Sequence, residues 1–253
     1  MKIQYCSDLH MEFHENMRFM KSLPLEPVGD VLVIAGDVGY LGDTTIPHLR
    51  FWKWASENYR QVLMIAGNHE FYNNGDIAAQ GEIWQKMFLP NVGYYHNKVV
   101  RIDNVDFILS TLWSRIPVVD EFAIQNGMND YSQILYNKRR LIPQNINDEF
   151  EKNFAFIQRA VDESDAEKIV VVTHHLPTFS ALEQRHAGDV LNAAYATELG
   201  NYIADSRISA WIYGHSHHCT DLMIGSTHLV SNPLGYVFCG ENSGFNDSAV
   251  IEV

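Results

Sequence analysis

Val31-Leu32-Val33-Ile34-Ala35-Gly36-Asp37 is the stretch on which the reading turns. Its first five residues are apolar and often β-branched, which is strand composition at strand length. It then stops on a glycine and a carboxylate. Working outward, the same grammar recurs at Lys2 to Cys6, Gln61 to Ala66, Val105 to Ser110, Lys168 to Thr173, Ala210 to Tyr213 and Thr227 to Ser231. Most of these runs end in Gly, Ser, Thr, Asn or His. Helical patterns lie between them. Leu49 to Asn58 starts near Pro47, and Asp76 to Phe88 is stopped by Pro90. Asp148 to Val161 places Phe150, Phe154, Ile157 and Val161 on one face, with Asn147 as cap. A fourth helix is expected from Glu183 or Gly188 to Ala204. Strand and helix alternate early in the chain, which predicts parallel β-α-β units, and closer strands later predict a mixed architecture.

The chain has 253 residues, 46% hydrophobic and 19% charged. That composition is globular and long enough to bury a sizeable core without staples. With no repeat, low-complexity tract or Gly/Ser linker, one domain over residues 1–253 is expected. The 18 Lys and Arg against 31 Asp and Glu give a net charge of −13. Such a surface disfavours extended nucleic-acid binding and anionic membranes, but not a small phosphorylated substrate beside bound metal ions. Cys6, Cys219 and Cys239 are odd in number and lack CxxC spacing, so a reducing compartment is the default. Met1 to His10 already carries Asp8 and His10, which does not read as a signal peptide. No apolar run approaches the roughly 18 residues of a membrane span. These features together predict a cytoplasmic protein.

Chemistry collects at the strand ends: Asp8 and His10 after the first strand, Asp37 after the second, and Asn68, His69 and Glu70 after the third. His174 and His175 follow a later strand, and His215 and His217 the next. Ligands of open α/β sheets gather at strand carboxyl ends. In extended chain, residues i and i+2 share a face, so Asp8 pairs with His10 and His215 with His217. Carboxylate and imidazole together suit Mn, Fe, Zn or Ni, and no thiolate is in the set. Two Asp, one Asn and four His exceed the needs of one ion and fit two sharing a bridge, for which the isolated Asp37 is the natural carboxylate. Two ions roughly 3.5–4 Å apart can activate a hydroxide and clamp a phosphate. Singly, each residue also reads as a turn former, a helix cap or a surface polar group.

In order, Asp8/His10, Gly36-Asp37, Gly67-Asn68-His69-Glu70, His174/His175 and Gly214-His215-Ser216-His217 resemble the motifs of the calcineurin-like metallophosphoesterases. The motifs span positions 8 to 217. The resemblance implies an α/β (α+β) four-layer sandwich, two mixed β-sheets stacked face to face and flanked by helices. It implies that Asp8, His10 and His217 hold one transition-metal ion and Asn68, His174 and His215 a second, with Asp37 bridging. His69 is left unligated to hold phosphoryl oxygens or protonate the leaving group, so His69 and Asp37 are the expected catalytic residues. The fourth motif reads His174-His175-Leu176-Pro177, and the ligand there is His174 or, with the two reversed, His175. Ser110-Thr111-Leu112-Trp113 and Asn232-Pro233-Leu234-Gly235-Tyr236 resemble a small, compact branch of the family.

The expected activity is metal-dependent phosphoester hydrolysis, with a phosphodiesterase acting on a small substrate ahead of a phosphomonoesterase or phosphoprotein phosphatase. A non-catalytic scaffold or a nuclease are the other readings. Trp113 to Pro143 and Thr178 to Asp189 are the expected pocket walls, the former as a lid or as a surface excursion. His14, His48, His96, His218 and His228 read as structural or exposed, His186 as pocket-lining or solvated, and Cys6 as core. Arg115, Arg139 and Arg140 read as solvated charges ahead of a role in binding a substrate phosphate.

Overall fold

The computed structural model describes residues 1–22 and 24–253. Its strands are β1 (Lys2–Cys6), β2 (Val31–Ile34), β3 (Gln61–Met64), β4 (Trp84–Leu89), β5 (Val92–His96), β6 (Lys98–Ile102), β7 (Val105–Leu109), β8 (Leu135–Tyr136), β9 (Arg139–Arg140), β10 (Lys168–Val172), β11 (Ala210–Ile212), β12 (Thr220–Ile224), β13 (Thr227–Ser231) and β14 (Val250–Glu252). Its α-helices are α1 (His14–Lys21), α2 (Arg50–Asn58), α3 (Glu121–Gly127), α4 (Asp130–Gln133), α5 (Pro143–Glu163), α6 (Asn192–Tyr195) and α7 (Gly200–Asp205). One six-stranded sheet runs β14-β1-β2-β3-β5-β4 and the other β12-β13-β11-β10-β7-β6, with β8 and β9 as a separate ribbon. Both large sheets are mixed. β1, β2, β3 and β5 are parallel in the first, and β7, β10, β11 and β13 in the second.

Residue alternation explains the layers. Val31 and Val33 join Ile3, Tyr5, Phe107, Val170, Val172 and Ile212 in a core between the sheets. Leu32 and Ile34 point the other way and pack with Phe51, Trp52 and Met20 under α1 and α2. On the far face, Ile108, Ile169, Val171 and Trp211 meet Phe150 and Ile157 of α5. Strands covered on both faces read as unbroken apolar runs, which is why Val31 to Ala35 has no polar residue. The expected layers, two sheets flanked by helices, are those observed.

All seven expected strands are present, but three helix expectations need correction. Asp76 to Phe88 is a short 3₁₀ turn, Ala78–Gln80, followed by β4. Gly81 breaks the helix at φ 80°, and Trp84 and Phe88 then cover the first sheet's outer core by stacking on His96 and meeting Trp52. α5 starts five residues early because Pro143 sets its first turn, and the Asn145 side chain accepts from the Ile142 N–H. Asn147 does not cap it; its amide instead bonds both backbone groups of Ile116. The expected fourth helix is broken into α6 and α7, because Ala196 bridges to Leu176 in extended conformation between them. Trp113 to Pro143 is more than a surface excursion: it holds α3, α4 and the β8–β9 ribbon, and it reaches the site below.

Candidate metal centre

Parallel pairing places the carboxyl ends of β1, β2, β3, β10 and β11 at one edge, and the loops that leave them are tied together. The Asp8 N–H donates to the Gly36 carbonyl, the His10 N–H to the Asp37 carbonyl, and the Gly214 N–H to the His174 carbonyl. The His215 N–H donates to Asp8 Oδ1 at 3.0 Å and the His69 N–H to Asp37 Oδ1 at 2.9 Å. Gly67 has no room for a side chain: a Cβ there would overlap Asp37 Oδ1 and His174 Nε2. Asp8, His10, Asp37, His215 and His217 all sit at positive φ, between 46° and 74°. Non-glycine residues rarely adopt that conformation, and such strain concentrates at functional sites.

The candidate ligands converge. Ligand atoms of Asp8, His10 and His217 lie within 4.8 Å of one another, as do those of Asp37, His174 and His215, and of His10, Asp37 and His69. Asp37, a member of the second group, also reaches the first, with Oδ2 3.7 Å from His10 Nε2 and Oδ1 3.4 Å from His174 Nε2. Asn68 Oδ1 is 3.1 Å from His174 Nε2, and its amide N–H donates to Asp130 Oδ1 at 2.9 Å. It is His174 that meets Asp37. His175 packs its ring against Trp113 and His215 and, among the described residues, joins none of the three groups.

Acceptors that cannot donate settle the ring tautomers. The Nδ1–H groups of His10, His217 and His174 donate to Glu12 (3.0 Å), Glu241 (2.6 Å) and the Ala35 carbonyl (2.8 Å). Each Nε2 is thereby turned toward the carboxylates, the arrangement typical of metal-binding histidines. Burial works to raise the Asp37 carboxyl, but the His174 and His69 charges bring it well below the usual range. The Asp8 carboxyl is lowered too, since His217 overrides burial there. Desolvation works to lower His174, but Asp37 pushes it up to about 9. His215 goes the other way: desolvation and the neighbouring histidines hold it well below its ordinary value, as a neutral ring. Its Nε2 is buried and, among the described residues, has no hydrogen-bond partner. An orphaned imidazole nitrogen beside two carboxylates and three further imidazoles is a donor set that fits borderline metal ions.

His69 completes the site. Its Nδ1–H donates to Glu12 Oε1 at 2.8 Å, its face stacks on Tyr72 at 4.0 Å, and its Nε2 lies 3.3 Å from the Tyr236 hydroxyl. Tyr72 is itself held by Asp130 at 2.6 Å. Glu70 lies behind, accepting from the N–H groups of Asp37, Val38 and Gly67 and from the Tyr94 hydroxyl. A cleft of about 470 Å³ opens over these groups, with Met128, Asn129, Leu182, Arg185, Leu191 and Tyr195 among its walls. Both expected wall segments contribute, and His186 lines the cleft. The motif reading overlooked Glu12, Asp130, Glu241 and Tyr72, and it named Tyr236 without giving it a role. Of the overlooked four, Glu12 had a signal, since it follows Asp8 and His10 at the same two-residue spacing.

The calcineurin-like phosphoesterase family model matches residues 1–219. The chain belongs to this family. A calcineurin-like phosphoesterase is a hydrolase of phosphoric esters, and the family typically depends on a dinuclear metal centre. "Uncharacterized protein L509" of Acanthamoeba polyphaga mimivirus is 27% identical over 275 residues, covering 99% of this chain and 96% of its own. The fold is similar to that of phosphopantetheinyl hydrolase (PptH) from Mycobacterium tuberculosis, with a TM-score of 0.68, 16% identity and coverage of 99% and 95% of the two chains. It is also similar to TT1561 of Thermus thermophilus, with a TM-score of 0.51, 13% identity and coverage of 92% and 88%. No helix among the described residues is long and apolar enough to cross a membrane.

Proposed function

We propose that this phosphoesterase is a dinuclear-metal-dependent phosphodiesterase acting on a small substrate with an uncharged arm. The charge balance of the cleft carries the reading. Beyond Asp37, which the two ions would neutralise, its walls include Glu183, Asp189 and Glu241. Among the described residues Arg185 is their one fixed cation, and it is already paired with Glu183 at 2.8 Å. A diester monoanion enters such a cleft more easily than a monoester dianion or a nucleoside polyphosphate. Met128, Leu182, Leu191 and Tyr195, with the amides of Asn129 and Asn192, suit a neutral, amide-bearing chain. The phosphopantetheinyl group, for which the similar Mycobacterium tuberculosis hydrolase is named, has that chemistry and heads the substrates to test.

Asp8, His10 and His217 would hold one metal ion and Asn68, His174 and His215 the other, with Asp37 shared between them. When bound, the two ions supply a nucleophile from water at neutral pH and offset charge on the phosphoryl oxygens. Asp130 turns the Asn68 amide so that its oxygen faces the site. His69 is favoured in its charged form by Asp37 and Glu12, although burial opposes it. With Nδ1–H held by Glu12, it presents an Nε2 proton to a phosphoryl oxygen or to the departing alkoxide. Tyr236 stands beside that nitrogen and, together with Tyr72, limits the ring's motion.

The test is hydrolysis of bis-p-nitrophenyl phosphate against p-nitrophenyl phosphate, with Mn²⁺ and again after chelation. Chelator-sensitive turnover that favours the diester is expected. Turnover of the monoester alone would replace this reading with a phosphatase.

A further inference from the structure

We propose that Glu12 is a positioning residue shared by both halves of the site: its Oε1 sets the ring orientation and tautomer of His10, which would hold a metal ion, and of His69, which lines the substrate cleft. The proposal rests on the functional reading above.

One oxygen receives both rings, the His10 Nδ1–H at 3.0 Å and the His69 Nδ1–H at 2.8 Å. A carboxylate oxygen has two lone pairs, so each ring takes one. The rings stand edge to face, 4.4 Å apart and inclined at 73°, which sends their Nε2 atoms in different directions. His10 Nε2 turns to Asp37 and His217, and His69 Nε2 to Tyr236 at the cleft. His217 and His174 each have an acceptor of their own, Glu241 and the Ala35 carbonyl. Of these four rings, only His10 and His69 share one.

Glu12 has no evident structural alternative. Its side chain is 1% exposed, and its Oε2 has no hydrogen-bond partner among the described residues. Among the described residues, its side-chain hydrogen bonds go to these two rings. Burying a carboxylate so thinly satisfied is unfavourable for folding, so stability does not explain its presence. A carboxylate common to both rings locks the substrate-facing imidazole to the metal-facing one, and displacement of either is passed to the other.

The test compares Glu12→Ala and Glu12→Gln with the wild type in three measurements. Long-range ¹H–¹⁵N spectra of histidine-labelled, metal-free protein report the ring tautomers. Calorimetric titration with Mn²⁺ reports affinity. Diesters with phenyl and p-nitrophenyl leaving groups, at saturating Mn²⁺, report proton donation. Removing Glu12 is expected to change two rings in the spectrum and to weaken Mn²⁺ binding about 10–100-fold. It should also lower kcat more for the phenyl than for the p-nitrophenyl ester. The Gln variant, whose amide oxygen still accepts, should recover part of each. An Ala variant with altered Mn²⁺ affinity but normal leaving-group dependence, or the reverse, overturns the shared role. If the Ala variant does not fold, the Gln variant must show weaker Mn²⁺ binding and a changed ring spectrum, and one indistinguishable from wild type overturns the proposal. If the wild type hydrolyses no phosphoester, the functional reading fails. The spectra and the Mn²⁺ titration then still decide whether Glu12 positions both rings.

Discussion

Five of the seven candidate ligands hang from backbone in the left-handed region, where each non-glycine residue is disfavoured by about 1 kcal/mol or more. The loops hold there because their amides are donated to one another's carbonyls and to Asp8, Asp37 and Glu70. Gly67 is the tightest point of that mesh. Gly67→Ala should push Asp37 and His174 apart and abolish Mn²⁺ binding and hydrolysis, while circular dichroism stays that of a folded protein. Retained turnover would show that the contact is soft. His96 offers a second test away from the metal site. Desolvation lowers its pKa from 6.5 to about 4 in the folded chain. Below pH 6.5 the unfolded chain therefore binds a proton that the folded one refuses. Stability is full above that pH and falls by up to about 3 kcal/mol as the pH drops to 4. His96→Phe, which keeps the stack on Trp84, should flatten this part of the stability–pH curve relative to wild type in denaturant titrations.

At the scale of elements, α5 closes the outer face of the second sheet, and Ile157 is fully buried there. Ile157→Ala should destabilise the protein by about 2–5 kcal/mol, read as a lower urea midpoint at unchanged slope. A loss below about 1 kcal/mol would mean that the helix packs loosely. The covered strands were legible in the sequence because burial on both faces leaves only apolar residues in Val31 to Ala35 and in Ile169 to Val172. β4 was not. Trp84 and Phe88 are spaced for a helix and for a strand alike, and pairing with β5, which no local pattern reveals, decides between them. The site divides in the same way. Asp8, His10, Asp37, Asn68, His174, His215 and His217 stand directly after strands and announce themselves. Asp130 and Glu241 arrive from segments far along the chain and meet Asn68 and His217 only through the tertiary fold.

Across the whole molecule, two sheets meet so that strand ends from both halves of the chain face a common point. Asp8 Oδ1, after the first strand of one sheet, lies 3.5 Å from His217 Nε2, after a strand of the other. Each of the two ligand groups assigned to a metal ion draws on both sheets, so the metal centre depends on their packing. In a molecule of net charge −13, the most concentrated set of buried carboxylates and imidazoles among the described residues is this one, and metal ions are what would neutralise it. The direct test is metal stoichiometry. Wild type and Asp37→Ala would be reconstituted with Mn²⁺, freed of excess by gel filtration and analysed by plasma mass spectrometry alongside diester hydrolysis. About two ions per chain are expected in the wild type. At most about one is expected in Asp37→Ala, with hydrolysis lost. Asp37→Ala that keeps both its metal and its turnover, or a wild type that hydrolyses diesters without metal, would contradict the metal-centre assignment.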